Sequence, residues 1–266
     1  MATASNPFGL ARYGELLETL IERGYRFEPF TRARQCLAEA TPFLLLRHDV
    51  DMDTARALEM ARYEAERQVR ATYFFMVRGS FYNLFSAPSS RHAVDILQCG
   101  HWLGLHFDSS AYAELHDEGR VNRACRKEIQ ILEAWLDVPV TAVSFHRPGE
   151  FELAGSPRLT DPYPHTYMKL FTDQMEYCSD SRGRWRFGGP TEREAFKRRR
   201  PMHLLVHPIW WGPQPSEPYE TLVQFARRHQ QGFERELAEH CEVFRGRAGD
   251  AGGVPSIRPT RQDKHV

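Results

Sequence analysis

The stretch His48-Asp49-Val50-Asp51-Met52-Asp53 sets a histidine and three carboxylates at nearly alternating positions, directly after Phe43-Leu44-Leu45-Leu46-Arg47. Imidazole and carboxylate groups hold divalent metals and move protons. An apolar run that ends in them reads as a buried strand presenting a site at the carboxyl edge of a sheet. Other apolar runs close in the same way. His106 and Asp108 follow Trp102-Leu103-Gly104-Leu105, and His146 and Arg147 follow Val140 to Phe145. Asp180 follows Met175 to Ser179, and His207 follows Leu204-Leu205-Val206. A catalytic cation needs three protein donors and an open position for water or substrate. Water held there loses its proton readily, and a neighbouring carboxylate can take it. An arginine can fix that carboxylate, and a histidine can protonate a leaving group. Asp53 is as well suited to capping the helix marked by Met52, Ala55, Leu58, Ala61 and Ala65.

These donors meet only if the intervening elements pack as a layered α/β structure. Leu10, Tyr13, Leu17, Leu20 and Ile21 space as one helical face closed at Gly24. Ala71 to Val77 is β-branched and aromatic, a second strand. A loop is expected over Gly79–Ser90, a short helix over Ala93–Cys99 and a strand over Trp102–Asp108. Val121, Cys125, Ile129, Leu132 and Leu136 define an amphipathic helix that stops before Pro139. Residues 150–165 carry prolines and no periodicity, which predicts a long loop over the site. Tyr219, Leu222, Ala226, Phe233, Leu237 and Phe244 line a final helix. Six or seven strands alternating with helices predict an incomplete or distorted (β/α) barrel. The expected organisation is a flexible leader over 1–7, a single domain over 8–247 and a disordered tail over 248–266.

Composition narrows the partners. Basic and acidic residues balance at 35 each, so no global field draws in nucleic acid or anionic lipid. Lys197-Arg198-Arg199-Arg200 is the one continuous basic run. Five cysteines are scattered without a CxxC pair, which excludes a zinc–thiolate site and suggests a reducing compartment. No apolar run approaches membrane-spanning length, and no signal peptide is visible at the start. The expectation is a cytoplasmic protein without membrane insertion.

The ordered set of motifs, from Leu44 to Trp211, resembles the polysaccharide deacetylases of carbohydrate esterase family 4, the NodB-homology fold. His48-Asp49-Val50-Asp51 is similar to the first family motif, which implies Asp49 as the base and Asp51 as a metal ligand. Gly100-His101-Trp102-Leu103-Gly104-Leu105-His106 is similar to the second, implying His106 as a ligand. Arg147-Pro148 resembles the third, in which the arginine braces the base. Asp180 with Trp185 resembles the fourth, a charge partner and an aromatic wall, with Asp180 holding Arg147. Leu204-Leu205-Val206-His207 resembles the fifth and implies His207 as the general acid. The wording around Leu105-His106-Phe107-Asp108, Ser144-Phe145-His146-Arg147-Pro148 and His207-Pro208-Ile209-Trp210-Trp211 resembles most the WbmS-like subgroup, linked with surface-polysaccharide (O-antigen) gene sets.

One position departs from the family pattern. Its second motif carries another histidine four residues after the first, and here that position is Ser110. His106 and Asp108 share one face of an extended strand, so Asp108 is the favoured third ligand. His146 is the alternative, and is otherwise expected to bind substrate together with Trp185, Trp210 and Trp211. The resemblance implies a divalent cofactor, with zinc favoured, and hydrolysis of an N-acetyl or related acyl group on a sugar. The rival is a non-catalytic carbohydrate-binding relative that has lost a metal ligand.

Overall fold

The computed structural model describes residues 8–248 except 40, 113, 114 and 116. The leader expected over 1–7 and, but for residue 248, the tail expected over 248–266 lie outside them. The chain divides into two compact units, the first ending at Pro218 and the second beginning at Tyr219.

The first unit is built on seven parallel strands: β1 (Arg26–Phe27), β2 (Phe43–Val50), β3 (Thr72–Phe75), β4 (Trp102–Phe107), β5 (Val140–Phe145), β6 (Glu176–Ser179) and β7 (Met202–Val206). Their order is β5-β4-β3-β2-β7-β6, with β1 added beside the start of β2. No pairing joins β5 to β6, so the barrel is open. Helices α1 (Leu10–Glu22), α2 (Ala33–Ala38), α3 (Thr54–Ala65), α4 (Ala87–Gln98) and α5 (Glu118–Leu136) flank the sheet. The second unit holds the rest of helix Pro218–His240 and helix Glu242–Ala248. No helix among the described residues is long and apolar enough to cross a membrane.

Every residue of β2 is buried. A strand covered on both faces sorts its side chains by alternation alone. Leu44, Leu46 and Val50 join the larger apolar cluster with the helices, whereas Phe43 and Leu45 join a smaller one with Phe30, Phe74, Ala142 and Phe171 inside the barrel. Arg47, Asp49 and Asp51 continue that inner face towards the carboxyl end. Gly104 on β4 is required by close approach, since a Cβ there would stand 2.3 Å from the Phe74 ring. His48 points the other way, into a buried network. Its Nε2 lies 2.6 Å from Glu64 Oε1, the Tyr73 hydroxyl donates to Oε2 at 2.8 Å, and the Tyr13 hydroxyl also donates to Glu64. His101 is structural too: its Nδ1 accepts from Ala71 N at 3.1 Å and its Nε2 donates to Ala61 O at 2.9 Å.

Three segments differ from the sequence reading. Strand β1 and α2 carry too few residues to show a period. Helix α4 starts at Ala87, six residues before the expected Ala93, because Pro88 sits in its first turn, where its missing N–H is no loss. Residues 150–165 contain a short helix, Glu150–Leu153, and a 3-10 turn, Pro157–Leu159. Their end lies along β5: Val143 N donates to Pro164 O and Thr166 N donates to Val143 O, both at 2.9 Å. An open strand edge needs partners for its backbone groups, and this segment supplies them.

Candidate metal centre and active site

Asp49 lies near the end of β2 and Asp51 just beyond it, His106 near the end of β4, Ser144 near the end of β5 and His146 just beyond it, while Asp180 follows β6 and His207 follows β7. Parallel strands bring these ends to one edge. Asp51, His106 and His146 each offer a donor atom within 4.8 Å of the other two. Asp51 Oδ1 is 3.0 Å from His106 Nε2 and 3.4 Å from His146 Nδ1, and the two nitrogens are 3.2 Å apart. Asp51 Oδ1 is buried and accepts no well-formed hydrogen bond, although two imidazoles crowd it. Converging donors around an unsatisfied buried oxygen fit a divalent cation better than a hydrogen-bonded cluster.

The orientation of His106 is set from behind. The β4–β5 register places it opposite Ser144, whose Oγ is 2.6 Å from His106 Nδ1. With Nδ1 engaged, Nε2 is the atom turned to the cluster. The Ser144 hydroxyl also reaches Asp49 Oδ1 at 3.3 Å. Ser144→Ala is therefore expected to weaken metal affinity by about 10–100-fold, as loss of an outer partner of a ligating histidine does. Competition with a chromogenic chelator measures it, and unchanged affinity would remove Ser144 from the site.

Asp108, the favoured third ligand, is elsewhere. Strand β4 stops at Phe107, and the chain folds into a 3-10 turn at Ser109–Ala111. Asp108 Oδ1 caps it, accepting from Ser110 N at 3.0 Å and Ser110 Oγ at 2.7 Å. The donor atom that completes the cluster comes from His146, which keeps the inward face of β5 that Ser144 occupies two residues earlier.

The brace on Asp49 also comes from an unexpected place. Arg47 Nε donates to Asp49 Oδ1 at 2.8 Å and an Arg47 terminal nitrogen to Oδ2 at 2.7 Å. Both side chains are almost fully buried, at 1% and 3% exposure. Burial alone would raise the Asp49 pKa, but the Arg47 charge, and after it His106, hold it below the usual carboxylate range. Arg147 is exposed on the cleft wall, with its backbone at φ 49°, and no hydrogen bond or ion pair to Asp49 or Asp180 is among its contacts. Asp180 instead holds His207, accepting from its backbone N at 3.0 Å and lying 2.6 Å from its Nδ1. Burial opposes the charged imidazole, yet the charge and hydrogen bond of Asp180 outweigh it and His207 is raised to about 9. Its Nε2 is 3.9 Å from Asp51 Oδ2.

Of the three tryptophans expected at the substrate, Trp210 lines the cleft. Trp211 is 2% exposed, packs on Phe8 and Tyr13, and donates from Nε1 to Asp180 at 2.7 Å. A buried indole N–H needs an acceptor, and Asp180 provides it. Trp185 packs on Phe8 and Trp211 rather than facing the cleft. Asp53 caps α3, accepting from Arg56 N at 3.1 Å. The cleft has a volume of about 420 Å³ and is walled by Asp49, Asp51, His106, His146, His207 and Trp210 among others. Sequence reasoning missed Arg47 and Ser144. The signal for Arg47 was present, since residues two apart on a strand share a face.

No protein-family model and no curated protein matches the chain. Among solved structures, the Streptococcus pyogenes deacetylase PplD in complex with acetate is 15% identical over 80% of this chain and 84% of its own, with a TM-score of 0.45. A family 4 carbohydrate esterase from Bacillus anthracis is 14% identical over 82% and 86% of the two chains, with a TM-score of 0.42. A mutant of a CE4 family pseudoenzyme with restored enzymatic activity is 12% identical, with a TM-score of 0.42; the match covers 73% of this chain and 64% of that one.

Proposed function

We propose that the protein is a metal-dependent deacetylase that hydrolyses an N-acetyl or related acyl group on a sugar. The observation that carries this reading is the Asp51–His106–His146 triangle, with the Arg47-held Asp49 and the Asp180-held His207 beside it in one cleft. Two imidazoles and one carboxylate form a donor set suited to zinc with an open position. A divalent cation held there supplies Lewis acidity to the acyl carbonyl and to water. Asp49 takes the proton of the attacking water, and Arg47 and Ser144 keep its carboxylate ionised and aimed. His207 delivers a proton to the departing sugar nitrogen, with Asp180 fixing Nδ1 so that Nε2 faces the cleft. Trp210 offers a flat face to a sugar ring, and Arg147 stands on the cleft wall.

The rival reading, a binding protein without a metal, drew on Ser110 in place of a ligand. His146 offers a donor atom in that ligand's stead, which supports the catalytic reading. The link to surface-polysaccharide biosynthesis rests on the likeness of the motifs to the WbmS-like subgroup.

The test is acetate release from N-acetylated mono- and oligosaccharides by zinc- or cobalt-loaded protein. Asp49→Asn is expected to lower turnover by about 10²–10⁴-fold, the usual worth of a general base. The same variant should keep its metal. Unaltered turnover in Asp49→Asn, or no acetate from any acylated sugar with the cation bound, would refute the reading.

A further inference from the structure

A second cavity, of about 300 Å³, opens beside the cleft and is walled by β6 and the turn and loop that follow it. Tyr177, Ser181 and Arg182 belong to the walls of both spaces. Four arginines line the second cavity, Arg182, Arg184, Arg186 and Arg193, and no acidic residue does. Arg193 is spoken for by Glu176, at 2.7 Å. Arg182, Arg184 and Arg186 form no ion pair among the described residues. Some exposed arginines of this chain, Arg12, Arg26, Arg32 and Arg198 among them, have a carboxylate within 4.0 Å, and others, such as Arg34 and Arg91, have none among the described residues, so it is the gathering of three around one cavity that sets these apart. The basic run at 197–200 does not reach either space: Lys197 and Arg198 both pair with Glu194.

Arg182 sits at φ 63°, in the left-handed region that bulky residues seldom adopt. The turn is held by the Asp180 carbonyl, which accepts from Gly183 N at 2.9 Å and Arg184 N at 3.3 Å. Asp180 also holds His207, so one residue joins the arginine turn to the cleft. Guanidinium groups without carboxylate partners, gathered around a concave space, match the planar fork needed to bind a carboxylate or phosphate.

We propose that the Arg182–Arg184–Arg186 cavity is a subsite for an anionic substituent, a carboxylate or phosphate oxyanion, carried by the acylated sugar whose acyl group enters the neighbouring cleft. The inference rests on the deacetylase reading for the acyl group, and on the cavity alone for the anion. The two spaces share walls at Tyr177, Ser181 and Arg182, so an anion in the second cavity adjoins a group in the cleft. Neutral sugars would then leave the second cavity filled only with water and counterions.

Calorimetric titration of the metal-loaded protein tests this with three probes: N-acetylglucosamine, N-acetylglucosamine 1-phosphate and the corresponding N-acetylated glucosaminuronic acid. At least one anionic probe is expected to bind 10-fold or more tightly than the neutral sugar at low salt, with the margin shrinking as salt rises. Which anion is preferred identifies the source of the oxyanion. The triple variant Arg182→Ala/Arg184→Ala/Arg186→Ala should lose the preference while its metal content stays unchanged, and Arg184→Glu alone should reduce it. Equal binding of neutral and anionic probes, or a preference retained in the triple variant, would overturn the proposal. Acetate release is read in parallel. Anion preference without acetate release leaves the subsite standing and removes the deacetylase reading; acetate release without anion preference does the reverse.

Discussion

His146→Ala is expected to strip the divalent cation from the protein, whereas Asp108→Ala leaves it bound. His146 Nδ1 is 3.4 Å from Asp51 Oδ1 and 3.2 Å from His106 Nε2, a geometry that one cation can satisfy. Asp108 has its Oδ1 committed to Ser110 N and Oγ, and acts on His146 only through its charge. Losing one of three ligands should reduce affinity by more than the roughly 10–100-fold seen for outer partners. Elemental analysis after gel filtration, with chelator competition for the affinity, checks both variants. About one equivalent of metal is expected in the native protein and in Asp108→Ala, and almost none in His146→Ala. Metal retained by His146→Ala and lost by Asp108→Ala would return the third ligand to β4. His146 is 16% exposed, so its loss should leave the fold intact, which thermal unfolding of the metal-free proteins can verify.

Arg47→Met is expected to destabilise the protein by about 3–5 kcal/mol, the usual result of removing one partner from a buried ion pair. The pair is fully desolvated and bidentate, so the deleted guanidinium leaves the Asp49 carboxylate without its main counter-charge. The Ser144 hydroxyl at 3.3 Å is too weak to replace it. The double variant Arg47→Met/Asp49→Asn should lose less than the sum of the two single changes, because no charge is then stranded. Urea unfolding with chelator present, to keep metal binding out of the comparison, measures all three. Arg147→Ala, on an exposed side chain, should shift stability by no more than about 0.5 kcal/mol. If instead Arg147→Ala matched Arg47→Met, the brace on the base would have been misplaced.

These two results separate what adjacent residues decide from what distant ones decide. The apolar runs of β2, β4, β5 and β7, each ending in ionisable residues, are visible in the sequence, because burial on both faces demands apolar side chains and the carboxyl edge does not. The amphipathic spacing of α1, α3 and α5 is visible for the same reason: a 3.6-residue period is local. The pairing of Arg47 with Asp49 is also local, a consequence of strand alternation.

The sequence by itself therefore determined the open α/β architecture and the pool of donors at the strand ends. Only the tertiary structure decided which donors meet. His106 faces Ser144 because of a register between strands nearly forty residues apart. Asp108 leaves the site because the 3-10 turn after β4 takes its carboxylate as a cap. Asp180 finds His207 and Trp211 because β6 lies beside β7 at the sheet edge. Alternation tells which face a side chain takes. Register, strand length and the hydrogen-bond needs of the following turn tell where its last atom ends, and those are settled by packing across the whole sheet.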